Sequence, residues 1–232
     1  MISGWDDEKI RMFGSENGKH IWSIDNAHKK SVTSIQLSKN LKFLCSGGEE
    51  GDVRVWEMKS RQMISHLKEH WGKITNIYLY DDDIHLVSSS RDKTILLWDL
   101  KNEKRISSNQ QRMGGINNFD VTPDQKLVIS TGQDRKITYW DLNQPRPIRL
   151  LTSNENPKLA DECNALCISH DGHLFATGGT NQVVRIWDVR EGKVLGVGYG
   201  HSDSVTCLAF SHDDKQVVST GLDGSILLWN IF

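Results

Sequence analysis

The sequence lacks a dominant charge. Its 28 Lys and Arg against 30 Asp and Glu leave a net −2 over 232 residues. A chain so balanced has no global basic field to draw it to nucleic acid or to an acidic membrane surface. It also lacks any run near the ~18 consecutive apolar residues of a membrane span. The opening residues, MISGWDDEKIRMF, show none of the features of a signal peptide. No Asn-x-Ser/Thr glycosylation site occurs. Cysteine is scarce, and all four residues (Cys45, Cys163, Cys167, Cys207) lie inside apolar, strand-like runs. Buried free thiols fit a reducing compartment better than a disulfide framework. The expected place is therefore the cytosol or a cytosol-facing structure.

What the chain does have is repetition. The last stretch, GHSDSVTCLAFSHDDKQVVSTGLDGSILLWNIF from Gly200 to Phe232, reads as three short strands joined by two turns. Its terminal tryptophan, Trp229, aligns with Trp187, Trp140, Trp98 and Trp56, and Phe13 fills the slot of a partial copy. The successive spacings are 43, 42, 42, 47 and 42. The next residue is Glu57, Asp99, Asp141, Asp188 or Asn230. Six residues before the slot comes an acid or amide: Asp7, Glu50, Asp92, Asp134, Asn181, Asp223. Four before that comes a hydroxyl: Ser3, Ser46, Ser88, Ser130, Thr177, Ser219. Histidines open three copies (His28, His70, His201), and Arg112 stands where the spacing places a fourth.

Together the Gly-His and Trp-Asp signatures resemble the WD-repeat family, in which each repeat of about 40 to 45 residues forms one four-stranded propeller blade. The resemblance covers essentially the whole chain. It implies an all-β propeller of five full repeats and a partial one, ending near positions 13, 56, 98, 140, 187 and 229. On this reading residues 1–232 are a single propeller domain, part of a seven-bladed ring whose missing strands precede Met1.

The residues agree independently. The first strand of each repeat is apolar at offsets 0, +3 and +5: Val32, Ile35, Leu37; Ile74, Ile77, Leu79; Ile116, Phe119, Val121; Cys163, Leu166, Ile168; Val205, Leu208, Phe210. One parity slip recurring five times predicts a β-bulge near the strand's start. Small or amide residues at offset +2 (Ser34, Asn76, Asn118, Ala165, Cys207) suit a crowded central channel. Weaker outer strands are expected at 20–24, 62–67, 104–108, 147–151 and 194–199, with Pro145 and Pro147 at an edge. An extra polar segment, Thr152 to Glu162, joins two blades.

Ser-His-Asp sets such as His201, Ser219 and Asp223 invite a hydrolase reading. The reading taken is structural: acid, imidazole, hydroxyl and indole tie three strands together. The expected frame comprises His28, Ser46, Glu50, Trp56; His70, Ser88, Asp92, Trp98; Ser130, Asp134, Trp140; Thr177, Asn181, Trp187; and His201, Ser219, Asp223, Trp229. A catalytic triad is needed once, whereas this set recurs, so no catalytic residue is assigned. Cys163 and Cys167 sit about 13 Å apart on an extended strand, too far for one metal. His170 and His173 flank a solvated turn. No metal and no cofactor is expected.

Binding is the expected function. The histidine loop and the acid's turn share one propeller face, so residues just before each acid, and those after the histidine slot, ring one rim. The candidate partner-binding face is Glu49, Trp71, Arg91, Met113, Gln133, Thr180 and Leu222, with Trp71 as its anchor. The partners are other proteins, with no nucleic acid and no membrane.

Two finer resemblances bear on which proteins. Trp187-Asp188-Val189-Arg190 is similar to the Trp-Asp-x-Arg pattern of substrate receptors of cullin-type ubiquitin ligases. The runs GWDDEKIRMF, GGEEGDVRVW, KEH, QDRKITYWDL and VGYGHSDSVT together resemble the C-terminal propeller of the axonemal cilia- and flagella-associated WD-repeat proteins, which carry two propellers in tandem. That likeness implies a scaffold inside ciliary doublet microtubules, touching tubulin and neighbouring luminal proteins.

Overall fold

The computed structural model describes residues 1–154 and 160–231, all of it β-strand, turn and irregular chain. The middle of the expected inter-blade segment, residues 155–159, lies outside the described residues. No helix long and apolar enough to cross a membrane occurs among those described. The chain packs as two compact units, Met1–Gln110 and Gln111–Phe232.

The first unit holds three antiparallel sheets. A three-stranded sheet is formed by β1 (Ile2–Gly4), β2 (Ile10–Phe13) and β3 (His20–Ile24). Next come β4 (Val32–Leu37), β5 (Phe43–Gly48), β6 (Val53–Glu57) and β7 (Met63–Leu67), then β8 (Ile74–Leu79), β9 (His85–Ser90), β10 (Thr94–Asp99) and β11 (Lys104–Gln110). The second unit repeats the pattern. It has β12 (Ile116–Val121), β13 (Val128–Gly132), β14 (Lys136–Trp140) and β15 (Arg149–Thr152). These are followed by β16 (Cys163–Ile168), β17 (Leu174–Gly179), β18 (Val183–Asp188) and β19 (Val194–Tyr199). A three-stranded sheet closes the series, with β20 (Val205–Phe210), β21 (Gln216–Gly221) and β22 (Ile226–Asn230). Each sheet is a meander in chain order, as short alternating strands separated by turns dictate.

The recurring parity slip is a bulge. The register jumps between Val32 and Ser34, Ile74 and Asn76, Ile116 and Asn118, Cys163 and Ala165, and Val205 and Cys207. A second irregularity has no sequence signature. The third strand shifts against the fourth just before the tryptophan slot, at Met12/Phe13, Val55/Trp56, Leu97/Trp98 and Ile186/Trp187. The outer strand expected from residue 147 begins instead at Arg149. Its ladder opens with Ile148 N–H donating to the Tyr139 carbonyl at 2.8 Å, because Pro147 has no N–H to give.

Within each unit the core lies between consecutive sheets. In the first unit, Cys45, Val53, Val55 and Leu67 of one sheet pack on Ile74, Ile77, Leu86, Leu96 and Trp98 of the next. In the second, Ile129, Ile137 and Tyr139 pack on Leu166, Phe175 and Trp187, with Phe175 stacked on Trp187 at 5.7 Å. Burying side chains of this size contributes about 1.5–3 kcal/mol each. Turns add polar stitches. The Asp83 carboxylate, on a residue at φ 55°, accepts the N–H groups of Lys39 and Asn40 in the preceding sheet at 2.8 and 3.1 Å. Asp214 does the same for His170 and Asp171, at 2.9 Å each. Three of the four cysteines are buried free thiols, and burial pushes Cys45 and Cys163 up to about 12. Cys207 is exposed, contrary to the expectation from its apolar run: β20 belongs to the last sheet of the series, and its Thr206 and Ala209 are exposed too, whereas Ala165 at the same offset in the preceding sheet is fully buried.

Candidate functional site

The frame beneath the rim is built the same way in three repeats. The His28 ring spans Glu50 Oε1 at 2.8 Å and Ser46 Oγ at 2.7 Å, and Trp56 Nε1–H donates to the same hydroxyl at 2.9 Å. His70 spans Asp92 at 2.9 Å and Ser88 at 2.8 Å, with Trp98 on Ser88 at 2.8 Å. His201 spans Asp223 at 3.0 Å and Ser219 at 2.6 Å, with Trp229 on Ser219 at 2.8 Å. One proton arrangement satisfies every group. Indole N–H donates to the hydroxyl, the hydroxyl to imidazole Nε2, and Nδ1–H to the carboxylate.

The carboxylate also accepts the backbone N–H that follows the histidine: Lys29 at 3.1 Å, Trp71 at 2.9 Å and Ser202 at 2.8 Å. In two repeats a hydroxyl two residues after the acid joins in. Thr94 and Ser225 donate to Asp92 and Asp223 at 2.5 and 2.7 Å. Sequence reasoning missed both, although Asp-Lys-Thr and Asp-Gly-Ser carry the signal. Burial raises the Asp92 carboxyl, but the His70 ring, the Thr94 hydroxyl and the Trp71 N–H outweigh it and bring it down to about 2. Asp223 is likewise held low, first by Ser225. His28 is pushed down by burial, against the pull of Glu50.

The other repeats keep part of the frame. Trp140 donates to Ser130 and Trp187 to Thr177, each at 2.8 Å. Asn181 accepts the Val183 N–H, at 3.2 Å. The spacing put Arg112 in the histidine slot of the third repeat, and the structure corrects this. Arg112 is exposed, while Gln111 is buried over Gly132, where a Cβ would lie 2.8 Å from its Nε2. A guanidinium resists burial without a partner, whereas an amide satisfies itself on the Met113 carbonyl at 2.9 Å. Residue type, not spacing, was the usable signal there. Asp134, left without an imidazole, is raised by burial. In the partial copy, Phe13 cannot donate, and Trp5 Nε1–H reaches Ser3 at 2.8 Å from another direction. Asp7 pairs with Arg11, whose guanidinium lies 4.9 Å over the Trp5 ring.

Every candidate rim residue except Trp71 and Met113 is set by one repeated backbone bond. The N–H before the acid donates to the carbonyl of the residue just ahead of the first strand: Glu49 to Ser31, Arg91 to Lys73, Gln133 to Gly115, Thr180 to Glu162, Leu222 to Ser204. These distances run from 2.9 to 3.0 Å. The side chains of all seven candidates are exposed. Trp71 is the extreme, at 93% exposure, and does not pack on its own blade. In the second unit Met113 and Leu222 are also largely in solvent.

The candidates for other chemistry find different roles. His170 is held by Asp214 at 2.8 Å and lies beside His212, not His173. Arg190 is exposed, and its carbonyl accepts from Arg149 at 2.7 Å. Among the described residues, no group of three or more His, Cys, Asp or Glu is arranged to hold a metal ion.

Repeated meanders carrying this hydrogen-bonded chain define a WD-repeat β-propeller protein, and comparison with known families agrees. The profile of the WD domain, G-beta repeat matches residues 106–141, 149–188 and 192–230, and that of the anaphase-promoting complex subunit 4 WD40 domain matches residues 3–82. The chain belongs to the WD-repeat family. Among individual proteins it is similar to cilia- and flagella-associated protein 52. Identity is 35% to the Mus musculus protein and 36% to the Homo sapiens protein, each over 99% of this chain and 36% of the relative. The Chlamydomonas reinhardtii protein is 35% identical over 99% of this chain and 37% of its own length. The chain thus spans little more than a third of these relatives.

Proposed function

We propose that this protein is a non-catalytic WD-repeat scaffold of ciliary and flagellar axonemes. It holds protein partners on the loop rim and serves as a microtubule inner protein beside tubulin. The observation that carries the reading is the likeness to cilia- and flagella-associated protein 52, which extends over 99% of the chain in both mammals and an alga. The chemistry of the frame supports a non-enzymatic role. In each complete set the hydroxyl, imidazole and carboxylate are used up in tying strands, and the hydroxyl is buried beneath the rim. A nucleophile so placed meets no substrate.

The test is fractionation. A tagged copy expressed in ciliated cells is expected to stay with axonemes after detergent and salt extraction. Recovery only from the soluble cell body would sink the axonemal reading.

A further inference from the structure

The loop rim of the Met1–Gln110 unit carries an asymmetry that the frame does not require. Its loops touch in sequence. Glu49 N–H bonds the Ser31 carbonyl at 3.0 Å, and Arg91 N–H bonds the Lys73 carbonyl at 2.9 Å. Gly51, at φ 93°, lets its loop meet the next: a Cβ there would lie 2.6 Å from the His70 carbonyl oxygen and 3.0 Å from that of Gly72. On this continuous rim Trp71 stands 93% exposed, and its backbone N–H is tied down by Asp92 at 2.9 Å. A nearly bare indole on a fixed loop adds nothing to the core, and its ring is free to be an interface anchor.

The uncommitted charges on these loops are mostly cationic. Lys29, Lys30, Lys68, Lys73, Arg91 and Lys93 are all exposed, and none forms an ion pair among the described residues. The carboxylates on the same loops are mostly committed. Glu50 and Asp92 bind the buried histidines, and Glu69 pairs with Arg105. Glu49 remains. Clustered like charge costs stability unless something of opposite sign arrives. Single-stranded nucleic acid needs a series of aromatic faces on which to stack successive bases; the other exposed tryptophan of this unit, Trp5 on the loop between β1 and β2, has its ring covered by the Arg11 guanidinium at 4.9 Å and tilted against Phe13, which leaves Trp71 as the bare one.

We propose that this rim binds an acidic protein segment, seating an apolar side chain on the Trp71 indole and its flanking carboxylates on the surrounding lysines and Arg91. The inference rests on the rim being the binding face. It names the partner's chemistry, which the axonemal reading leaves open.

The test uses the full chain and three fluorescein-labelled probes: a Glu/Asp-rich peptide with a central leucine, its Lys-for-Glu counterpart, and a single-stranded oligonucleotide. Fluorescence anisotropy is expected to show the acidic peptide binding with an affinity that falls as salt rises. Trp71→Ala and the double reversal Lys73→Glu/Arg91→Glu should each weaken binding about tenfold or more, with circular dichroism and thermal midpoint unchanged. No binding of the acidic peptide, or binding indifferent to both variants, overturns the proposal. Tighter binding of the oligonucleotide overturns it in favour of nucleic acid. If the basic peptide binds in a Trp71-dependent way, the rim is a binding face and the acidic partner is wrong. Axonemal retention is unaffected by any of these results, so the two readings fail separately.

Discussion

Asp92 and Asp134 hold the same place in consecutive repeats, yet their carboxyls move in opposite directions. Asp92 meets an imidazole, a hydroxyl and a backbone N–H and drops to about 2. Asp134, half-buried, meets no imidazole to offset its desolvation, and rises. Burial acts on both in the same sense, so the difference is the partner. In the first unit two repeats have the full chain of bonds. In the second only the last does, and the third repeat substitutes the self-satisfied amide of Gln111. The fold tolerates the incomplete version because the apolar packing between sheets does not depend on the histidine. The complete version adds a rigid seat for the loop above it, and it is on such a seat that Trp71 stands.

The largest break in that comparison should come from His70→Ala. It strands a buried hydroxyl and a mostly buried carboxylate together, at a cost of about 3 kcal/mol. Gln111→Ala should cost about 1 kcal/mol, since only one buried amide bond is lost. Urea denaturation measures both, and equal losses would mean that the histidine chain is no stronger than its substitute.

The next effect is on pH. A depressed carboxyl contributes stability that is present above its unfolded value of 3.8 and is lost as pH falls toward about 2. Asp92→Asn should therefore cost about 2 kcal/mol at neutral pH and flatten the acid limb of the stability curve. For Asp134 the sign reverses. A raised carboxyl is least costly when protonated, and its penalty grows as pH rises through the raised value, so Asp134→Asn should stabilise at neutral pH by about 1 kcal/mol or less. Thermal melts across pH 2–7 would show the two limbs, and a loss from Asp134→Asn at pH 7 would contradict the assignment.

The smallest effect separates spacing from structure. Arg112→His, placed where the repeat register puts the histidine, should leave stability within about 0.5 kcal/mol. Gln111→His, placed where the buried side chain lies, should pull the Asp134 carboxyl down, as read by titration of its side-chain NMR signal. If Arg112→His does so instead, the structural slot is wrong.

Much of the fold was legible because it is written repeatedly. A tryptophan recurring at near-constant spacing, a hydroxyl ten residues before it and an acid six before it place three strands of each sheet without reference to any contact. The inner bulge was legible too, since a shift of parity changes which side chains are apolar. The outer bulge was not: it lies beside weakly patterned edge strands, where no apolar alternation records the slip. The frame residues were readable for the same reason as the strands. Gln111 was not, because counting cannot tell which of two adjacent polar residues turns inward; their desolvation costs decide that.

What the sequence alone determined is the repeating unit: its strands, its tryptophan slot and the residues of the hydrogen-bonded chain, because local alternation and spacing follow from strand geometry. What only the tertiary structure decided is exposure. Trp71 and Trp98 are equally apolar in a list of residues, yet one is nearly bare and the other 1% exposed. The difference arises when neighbouring sheets pack and a carboxylate pins the loop above them. The same packing buries Gln111 and turns Arg112 outward, and it leaves six exposed cations without ion pairs on the loops of the unit that carries the bare indole.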